Sequence, residues 1–481
     1  MQIKKERIVM NKHDFYINGD WVKSESPDKL NVINPVTEES IAQISLGNKQ
    51  DVDKAVKAAR QSFELYSQTS VDYRLDLLTT IREIYKQRLG DVAHAIQTEM
   101  GAPEHLAYGA QAKVGLAHLK AAIEALKSHE TEYKYGDFIV RHEPIGVCGL
   151  ITPWNWPINQ VLSKLAPCLA TGCTAILKPS EIAPLSSMVI CEILNEAKVP
   201  KGVFNLINGT GTVVGEAMSS HPGIDMMSFT GSTRAGIAVA KASADSVKRV
   251  SQELGGKSAN IILNDELFEK SIKKGVLECM ENSGQSCNSP TRMLVPICRK
   301  DEAYSIAKET AESIFPGGPN NETTTIGPLV SDIQFEKVQK LIQVGINEGA
   351  KLITGGTGKP EGLTKGYYVK PTVFGDVSND MKIAQEEIFG PVLSIIPYEN
   401  IDNAISIAND TDYGLAAYVS GNSHEQLNSI ARRLRAGQIH LNYGSGGAKA
   451  PFGGYKQSGN GREKDKWGLE EFLEVKAIIG I

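Results

Sequence analysis

Ile145-Gly146-Val147-Cys148-Gly149-Leu150-Ile151 and Thr174-Ala175-Ile176-Leu177-Lys178 are two short, almost wholly apolar runs, and residues 161–170 between them have the apolar character of a packed helix. A strand, a crossover helix and a second strand buried on both faces form the unit of a parallel sheet. The rhythm continues through Val203-Phe204-Asn205-Leu206-Ile207 and Met226-Met227-Ser228-Phe229, with helices expected over 187–197 and 214–219. Short buried strands alternating with helices predict an α/β fold on a doubly wound, mostly parallel sheet, the pattern of a dinucleotide-binding domain.

Toward the amino terminus, Leu30-Asn31-Val32-Ile33-Asn34-Pro35 alternates and then turns, which suggests a strand. Residues 52–63 and 74–90 carry apolar side chains at helical spacing, with Gly90 expected to stop the second helix, and 91–100 and 107–126 continue as helix. Asp137-Phe138-Ile139-Val140-Arg141-His142-Glu143-Pro144 reads as strand. Toward the carboxyl terminus a second α/β block follows: a strand at Ala259-Asn260-Ile261-Ile262-Leu263, a helix through Cys279, a strand at Arg292-Met293-Leu294-Val295 and a long helix over 332–348. Later strands fall at Val392-Leu393-Ser394-Ile395-Ile396 and Ala417-Tyr418-Val419-Ser420, and the glycine-rich stretch from Gly355 to Gly362 reads as a surface loop. The junction between the blocks falls near Gly255-Gly256, and ligand sites favour such interfaces.

A chain of 481 residues exceeds what one hydrophobic core supports, so two or more domains are expected. A formal net charge of −5 gives no electrostatic case for nucleic acid or an anionic membrane. The start, Met1-Gln2-Ile3-Lys4-Lys5-Glu6-Arg7, leads into no sustained apolar segment, and no run approaches the roughly 18 residues of a membrane span, so a cytoplasmic protein is expected. The seven cysteines show no paired metal-type spacing, which argues against a disulfide framework and against a metal site.

The chemistry centres on Cys287, in Asn282-Ser283-Gly284-Gln285-Ser286-Cys287, and on Glu253, which opens Glu253-Leu254-Gly255-Gly256-Lys257-Ser258. A thiol attacks as thiolate and needs a proton acceptor or an electropositive setting. Thr152-Pro153-Trp154-Asn155-Trp156-Pro157, Lys178-Pro179-Ser180-Glu181, Phe229-Thr230-Gly231-Ser232 and Glu386-Glu387-Ile388-Phe389-Gly390-Pro391 occur in this order around the pair. Together with Tyr16-Ile17-Asn18-Gly19-Asp20-Trp21 near the start and Glu474-Val475-Lys476 near the end, they resemble the aldehyde dehydrogenase superfamily over essentially the whole chain.

The resemblance implies a Rossmann-like NAD-binding domain over 1–124 and 145–255, a catalytic α/β domain over 256–455, and a small β oligomerisation element from 125–144 and 467–481. It implies Cys287 as nucleophile, Glu253 as base and Asn155 as an oxyanion donor beside the Cys287 N–H. Relatives that pass the acyl group to coenzyme A typically lack this glutamate, so Glu253 favours water as acceptor. NAD is the expected cofactor, with NADP left open: a carboxylate at Glu181 repels a 2′-phosphate. The cofactor set is Thr152, Trp154, Lys178, Ser180, Glu181, Gly211, Gly215, Phe229, Gly231, Ser232, Leu254, Glu387 and Phe389. Trp156, Gln160, Ser286, Asn288 and Tyr443 are read as lining the substrate pocket. Glu474 is read either as a proton relay with Lys178 or as an ion-pair or interface residue. A small-molecule aldehyde and a homodimer or homotetramer are the partners implied. The alternatives are a semialdehyde-specific dehydrogenase and a non-catalytic protein that kept the scaffold.

Overall fold

The structure is a computed structural model, and it describes residues 13–480. The Met1-to-Arg7 start, the first residues of the 1–124 assignment and the last of 467–481 lie outside the described residues.

Two seven-stranded sheets organise the chain. The first runs Arg249–Glu253, Met226–Thr230, Val147–Ile151, Thr174–Lys178, Phe204–Leu206, and then the hairpin Asp14–Ile17 and Asp20–Lys23. Its first five strands are parallel, and the hairpin joins antiparallel at Tyr16 opposite Leu206. Val147–Ile151 and Thr174–Lys178 are buried at every position, as the apolar runs require. The helix between them, Pro157–Thr171, begins with a proline that has no N–H to leave unpaired and ends at left-handed Gly172.

The second sheet runs Lys351–Thr354, Thr372–Gly375, Val392–Tyr398, Arg292–Pro296, Ala259–Ile262, Ala416–Ser420 and Gln438–Leu441, all parallel except the first pair. A separate three-stranded antiparallel sheet pairs Leu473–Ile479 with Phe138–Pro144 and then with Glu132–Tyr135. The fold is thus a Rossmann-like α/β sheet, a second α/β sheet and a small β element. Among the described residues no helix is long and apolar enough to cross a membrane.

Three expected boundaries differ. Gly90 does not stop a helix: Val71–Gln87 ends at Arg88, and Gly90 lies inside the next helix, Leu89–Met100. Arg88 makes the corner instead, its guanidinium binding Asp91, Glu192 and Glu196. The helix expected over 107–126 is interrupted by a π turn at Ala107–Gln111 before Lys113–Ser128, and that over 214–219 starts only at Glu216, after a π turn at Gly211–Gly215.

The parallel register brings the motif segments to one edge. Ile151 lies opposite Lys178, and Thr230 opposite Glu253. The segments beginning at Thr152, Pro179, Gly231 and Leu254 therefore all leave the carboxyl ends of neighbouring parallel strands, where open α/β sheets bind ligands.

Candidate active site

The loop that carries Cys287 is held in an unusual backbone. Asn282, Ser283 and Gly284 have φ of 52°, 57° and 72°, three successive left-handed residues. A side chain at Gly284 would place its Cβ 2.0 Å from the Gly390 carbonyl oxygen, so glycine is required there. Such strain persists only where surrounding contacts over-determine it. Ser283 Oγ donates to the Gly327 carbonyl at 2.7 Å, Gln111 Nε2 to Asn282 Oδ1 at 3.1 Å, and Val330 N–H to Gln285 Oε1 at 3.0 Å.

Asn155 docks against the same loop. It is buried; its Nδ2 donates to the Gln285 carbonyl at 3.0 Å, and its own carbonyl accepts from Asn282 Nδ2 at 2.9 Å. Trp156 Nε1 donates to Ser286 Oγ at 2.8 Å. On the opposite side Gly256 passes so close that a Cβ there would lie 2.4 Å from the Cys287 carbonyl oxygen. The segment from the first sheet and the loop from the second thus meet at the thiol.

Cys287 is half-buried and lines two cavities. One, of about 140 Å³, is walled by Trp154, Gly231, Ser232, Leu254, Glu387 and Phe389. Trp154 and Phe389 meet edge to face at 5.4 Å, and Glu387 is fixed by the Gly256 N–H at 3.0 Å. The other, of about 230 Å³, is walled by Trp156, Ser286, Asn288, Tyr418 and Phe452, with Gln160 lining both.

Burial pushes the Cys287 thiol up, and the negative charges of Glu387 and Glu253 add to the shift. It therefore rests protonated and needs a base. Glu253, at the end of its strand, is 2% exposed, and neither carboxyl oxygen has a hydrogen-bond partner among the described residues. Burial raises it well above the usual carboxylate range; nearby Glu463 adds to this, while Lys164 and Arg462 oppose it.

A dinucleotide fits the other features of this edge. Thr233–Ser243 opens just after Gly231, with Ser232 as its cap accepting from Ala235 N–H, so N–H groups of its first turn remain for an anion. Gly211 has open space where a Cβ would point, and the Cβ of a residue at Gly215 would come within 3.9 Å of Lys178 Cδ. Lys178, buried, pairs with partly exposed Glu181 at 3.1 Å, leaving acceptor capacity on that carboxylate. The cofactor set thus divides into a cluster around the smaller cavity and a second around Lys178, Ser180 and Glu181.

Three expected positions lie off the two cavities beside Cys287. Thr152 and Phe229 do not line the smaller cavity: Thr152 is buried with its N–H on the Lys178 carbonyl, and the Phe229 ring packs beneath Gly231 in the core. Tyr443 is not on the larger cavity, because its hydroxyl is tied to Ser271 O at 2.7 Å and Asn260 Nδ2 at 3.0 Å; Tyr418, whose ring lies beside it, takes the wall position. Of the two readings of Glu474 the structure shows the ion pair: it stands on the outer strand, over half exposed and paired with Arg249 at 2.9 Å, and Lys178 holds Glu181.

The sequence reading missed the buried ion pair between Lys164 and Glu463, with side chains 1% and 8% exposed, whose charges reach Glu253. A single lysine within the apolar Pro157–Thr171 helix was the available signal.

Residues 21–478 match the model of the "Aldehyde dehydrogenase family". The chain is 52% identical to a 3-succinoylsemialdehyde-pyridine dehydrogenase of Pseudomonas sp., over 97% of this chain and 98% of that protein. Among solved structures, aldehyde dehydrogenase C of Pseudomonas syringae, a cysteine-to-alanine variant complexed with NAD+ and octanal, superposes with TM-score 0.98 at 48% identity, covering 99% of both chains. A betaine aldehyde dehydrogenase of Staphylococcus aureus in complex with NAD+ superposes with TM-score 0.94 at 34% identity, covering 98% of this chain and 95% of that one. The chain belongs to the aldehyde dehydrogenase family.

Proposed function

We propose that this enzyme oxidises an aldehyde to its carboxylic acid with NAD and water, Cys287 carrying the acyl group. The observation that carries the reading is the Cys287 thiol shared between two cavities, one with the aromatic and carboxylate wall suited to a nicotinamide ribose and one suited to an aldehyde chain.

Glu253 takes the thiol proton and Cys287 Sγ adds to the aldehyde carbon. The oxygen, now an oxyanion, is held by the Cys287 N–H and Asn155 Nδ2, donors fixed before reaction begins. Trp154, Gly231, Ser232, Leu254, Glu387 and Phe389 hold the nicotinamide half, and Lys178, Ser180, Glu181, Gly211 and Gly215 the adenosine and phosphate half. Bound there, NAD supplies a hydride acceptor for the thiohemiacetal carbon. The oxyanion then re-forms a C=O, leaving a thioester on Cys287. Glu253 first passes the thiol proton on toward the Glu463 carboxylate, one of the charges that face it, and then, ionised again, deprotonates a water that attacks the acyl carbon. The C–S bond breaks, the acid leaves, and the departing thiolate takes the water's proton back from Glu253, restoring both thiol and carboxylate.

The Glu181 carboxylate supports NAD over NADP, since a 2′-phosphate would meet like charge. We assign 1–124 and 145–255 to NAD binding, 256–455 to catalysis, and 125–144 and 467–481 to subunit pairing in a homodimer or homotetramer. Seven free cysteines suit a reducing, cytoplasmic setting. A semialdehyde substrate is a second reading, favoured by the 52% identical relative whose name specifies one.

Chromatographic identification of the product tests the reading: acid formed in equal amount to NADH, without coenzyme A, is expected. An acyl-coenzyme A product, or aldehyde consumed without NADH, would refute it. Glu181→Ser should narrow the preference for NAD over NADP, and an unchanged ratio of kcat/KM for the two cofactors would remove the ribose argument.

A further inference from the structure

The loop that carries Cys287 is fixed through the residues on either side of the thiol. Before it, two successive residues of one segment bind two successive residues of the other: Asn155 Nδ2 donates to the Gln285 carbonyl at 3.0 Å, and Trp156 Nε1 to Ser286 Oγ at 2.8 Å. After it, the Tyr418 hydroxyl donates to the Asn288 carbonyl at 3.1 Å, and Ser289 Oγ to the Cys279 carbonyl at 3.1 Å. Oxyanion binding gives the Asn155 amide a role; the Trp156 bond touches no reacting group.

Trp156 is anchored independently of that bond. It is the N-cap residue of the helix Pro157–Thr171, its carbonyl accepts from the Gln160 N–H at 3.0 Å, and its side chain packs against the core that includes Ile158 and Leu162. The indole also walls the larger cavity, next to Ser286 and Cys287. A wall of this kind needs no N–H, since a phenyl ring would offer the same apolar face. What the indole adds is a donor at its edge, and that donor is directed at the residue joined to Cys287.

Two placements that decide the reaction therefore depend on one ring. The face of the indole limits where an aldehyde chain lies, and its edge limits where the loop of the thiol lies. Attack requires sulfur and carbonyl carbon within about 3–3.5 Å of each other, and a displacement of about 1 Å can cost about a hundredfold in rate. We infer that Trp156 is a positioning residue for Cys287, registering the thiol against the aldehyde through its bond to Ser286 as well as walling the cavity. The inference rests on the aldehyde-oxidising reading above and adds a residue to that same site.

The test is the rate of the first turnover of NADH formation by the full-length enzyme, at saturating NAD, with propanal and with decanal. Trp156→Phe keeps an aromatic face and removes the donor. It should slow the saturated rate about five- to tenfold for both aldehydes alike, the scale of one hydrogen bond, with the half-saturating concentration of each nearly unchanged. Ser286→Ala leaves the indole in place and should cause the same loss, and Ser286→Thr, which restores the hydroxyl, should recover most of it. The double variant Trp156→Phe with Ser286→Ala should be no slower than the slower single one, because each removes the same bond. A Trp156→Phe effect confined to decanal, or to the half-saturating concentration, would make the ring a wall only and overturn the inference, as would losses that multiply in the double variant. Should Trp156→Phe not fold, Ser286→Ala against Ser286→Thr decides, and equal loss in both overturns it. Failure of the underlying reading looks different: no NADH from the wild type with either aldehyde, which removes the inference as well.

Discussion

Asn155 and Glu253 are the side chains on which the chemistry depends, and each answers to a different measurement. Asn155 is fixed by bonds to the loop of Cys287, so its amide is aimed before substrate arrives. Asn155→Ala should lower kcat by about a hundred- to a thousandfold, the cost of removing one preorganised oxyanion donor, while shifting the melting temperature only slightly. An unchanged kcat in steady-state assays would remove Asn155 from that role. For Glu253, burial raises the folded-state pKa above its ordinary value of 4.5. Its ionisation then opposes folding: the cost is absent well below the ordinary value, grows as pH rises toward the folded pKa, and is constant above it. Glu253→Gln should therefore raise the melting temperature by more at about pH 8 than at about pH 5, while abolishing the rise of rate with pH. A stability gain that shrinks as pH rises would contradict the shift. The motif reading placed Cys287, Asn155, Glu253, Glu387 and Phe389 together because each sits in a short local pattern. It misplaced Tyr443 because nothing local says which way a side chain of a long loop points, and of its two readings of Glu474 the ion pair, with Arg249, is the one the structure shows. It missed Lys164 with Glu463, partners 299 residues apart in sequence.

The strands of the first sheet were legible where burial is complete, as at Val147–Ile151 and Thr174–Lys178, because two-sided burial leaves continuous apolar runs. Arg249–Glu253 was not: Arg249-Val250-Ser251-Gln252-Glu253 is mostly polar, as an edge strand next to a catalytic turn is free to be. The π turns at Ala107–Gln111 and Gly211–Gly215 were equally invisible, since their side chains keep helical spacing while the hydrogen bonds shift by one residue. The helix Pro157–Thr171 and the segment bearing Glu463 are joined by the buried Lys164 pair. Lys164→Met alone should cost about 3–5 kcal/mol, because it strands the Glu463 carboxylate. The double variant Lys164→Met with Glu463→Leu should recover most of that in chemical denaturation, and a double variant less stable than the single one would mean the helix is held by something else. Gly284→Ala, driving a Cβ toward the Gly390 carbonyl, should lower both the melting temperature and kcat, since the loop it distorts carries Cys287.

The three-stranded sheet leaves apolar side chains in water that a monomer would hide: Val475 is 70% exposed, Ile479 81% and Tyr135 65%. Open strand edges and exposed apolar residues are the material of subunit pairing. The protein should run as a dimer or tetramer in size-exclusion chromatography with light scattering, and Val475→Glu should shift it toward smaller species; a wild-type monomer at micromolar concentration would contradict the proposed pairing. The two large sheets meet where Gly256 passes the Cys287 carbonyl, which places base and nucleophile on different sheets and makes the site a product of the whole fold. The most direct test of this account is the absorbance of NADH formed from NAD and an aldehyde panel without coenzyme A, with wild type and Cys287→Ser side by side. The account predicts steady NADH formation by the wild type and none by Cys287→Ser with NAD binding retained. NADH from Cys287→Ser, or a wild type that needs coenzyme A, would contradict it.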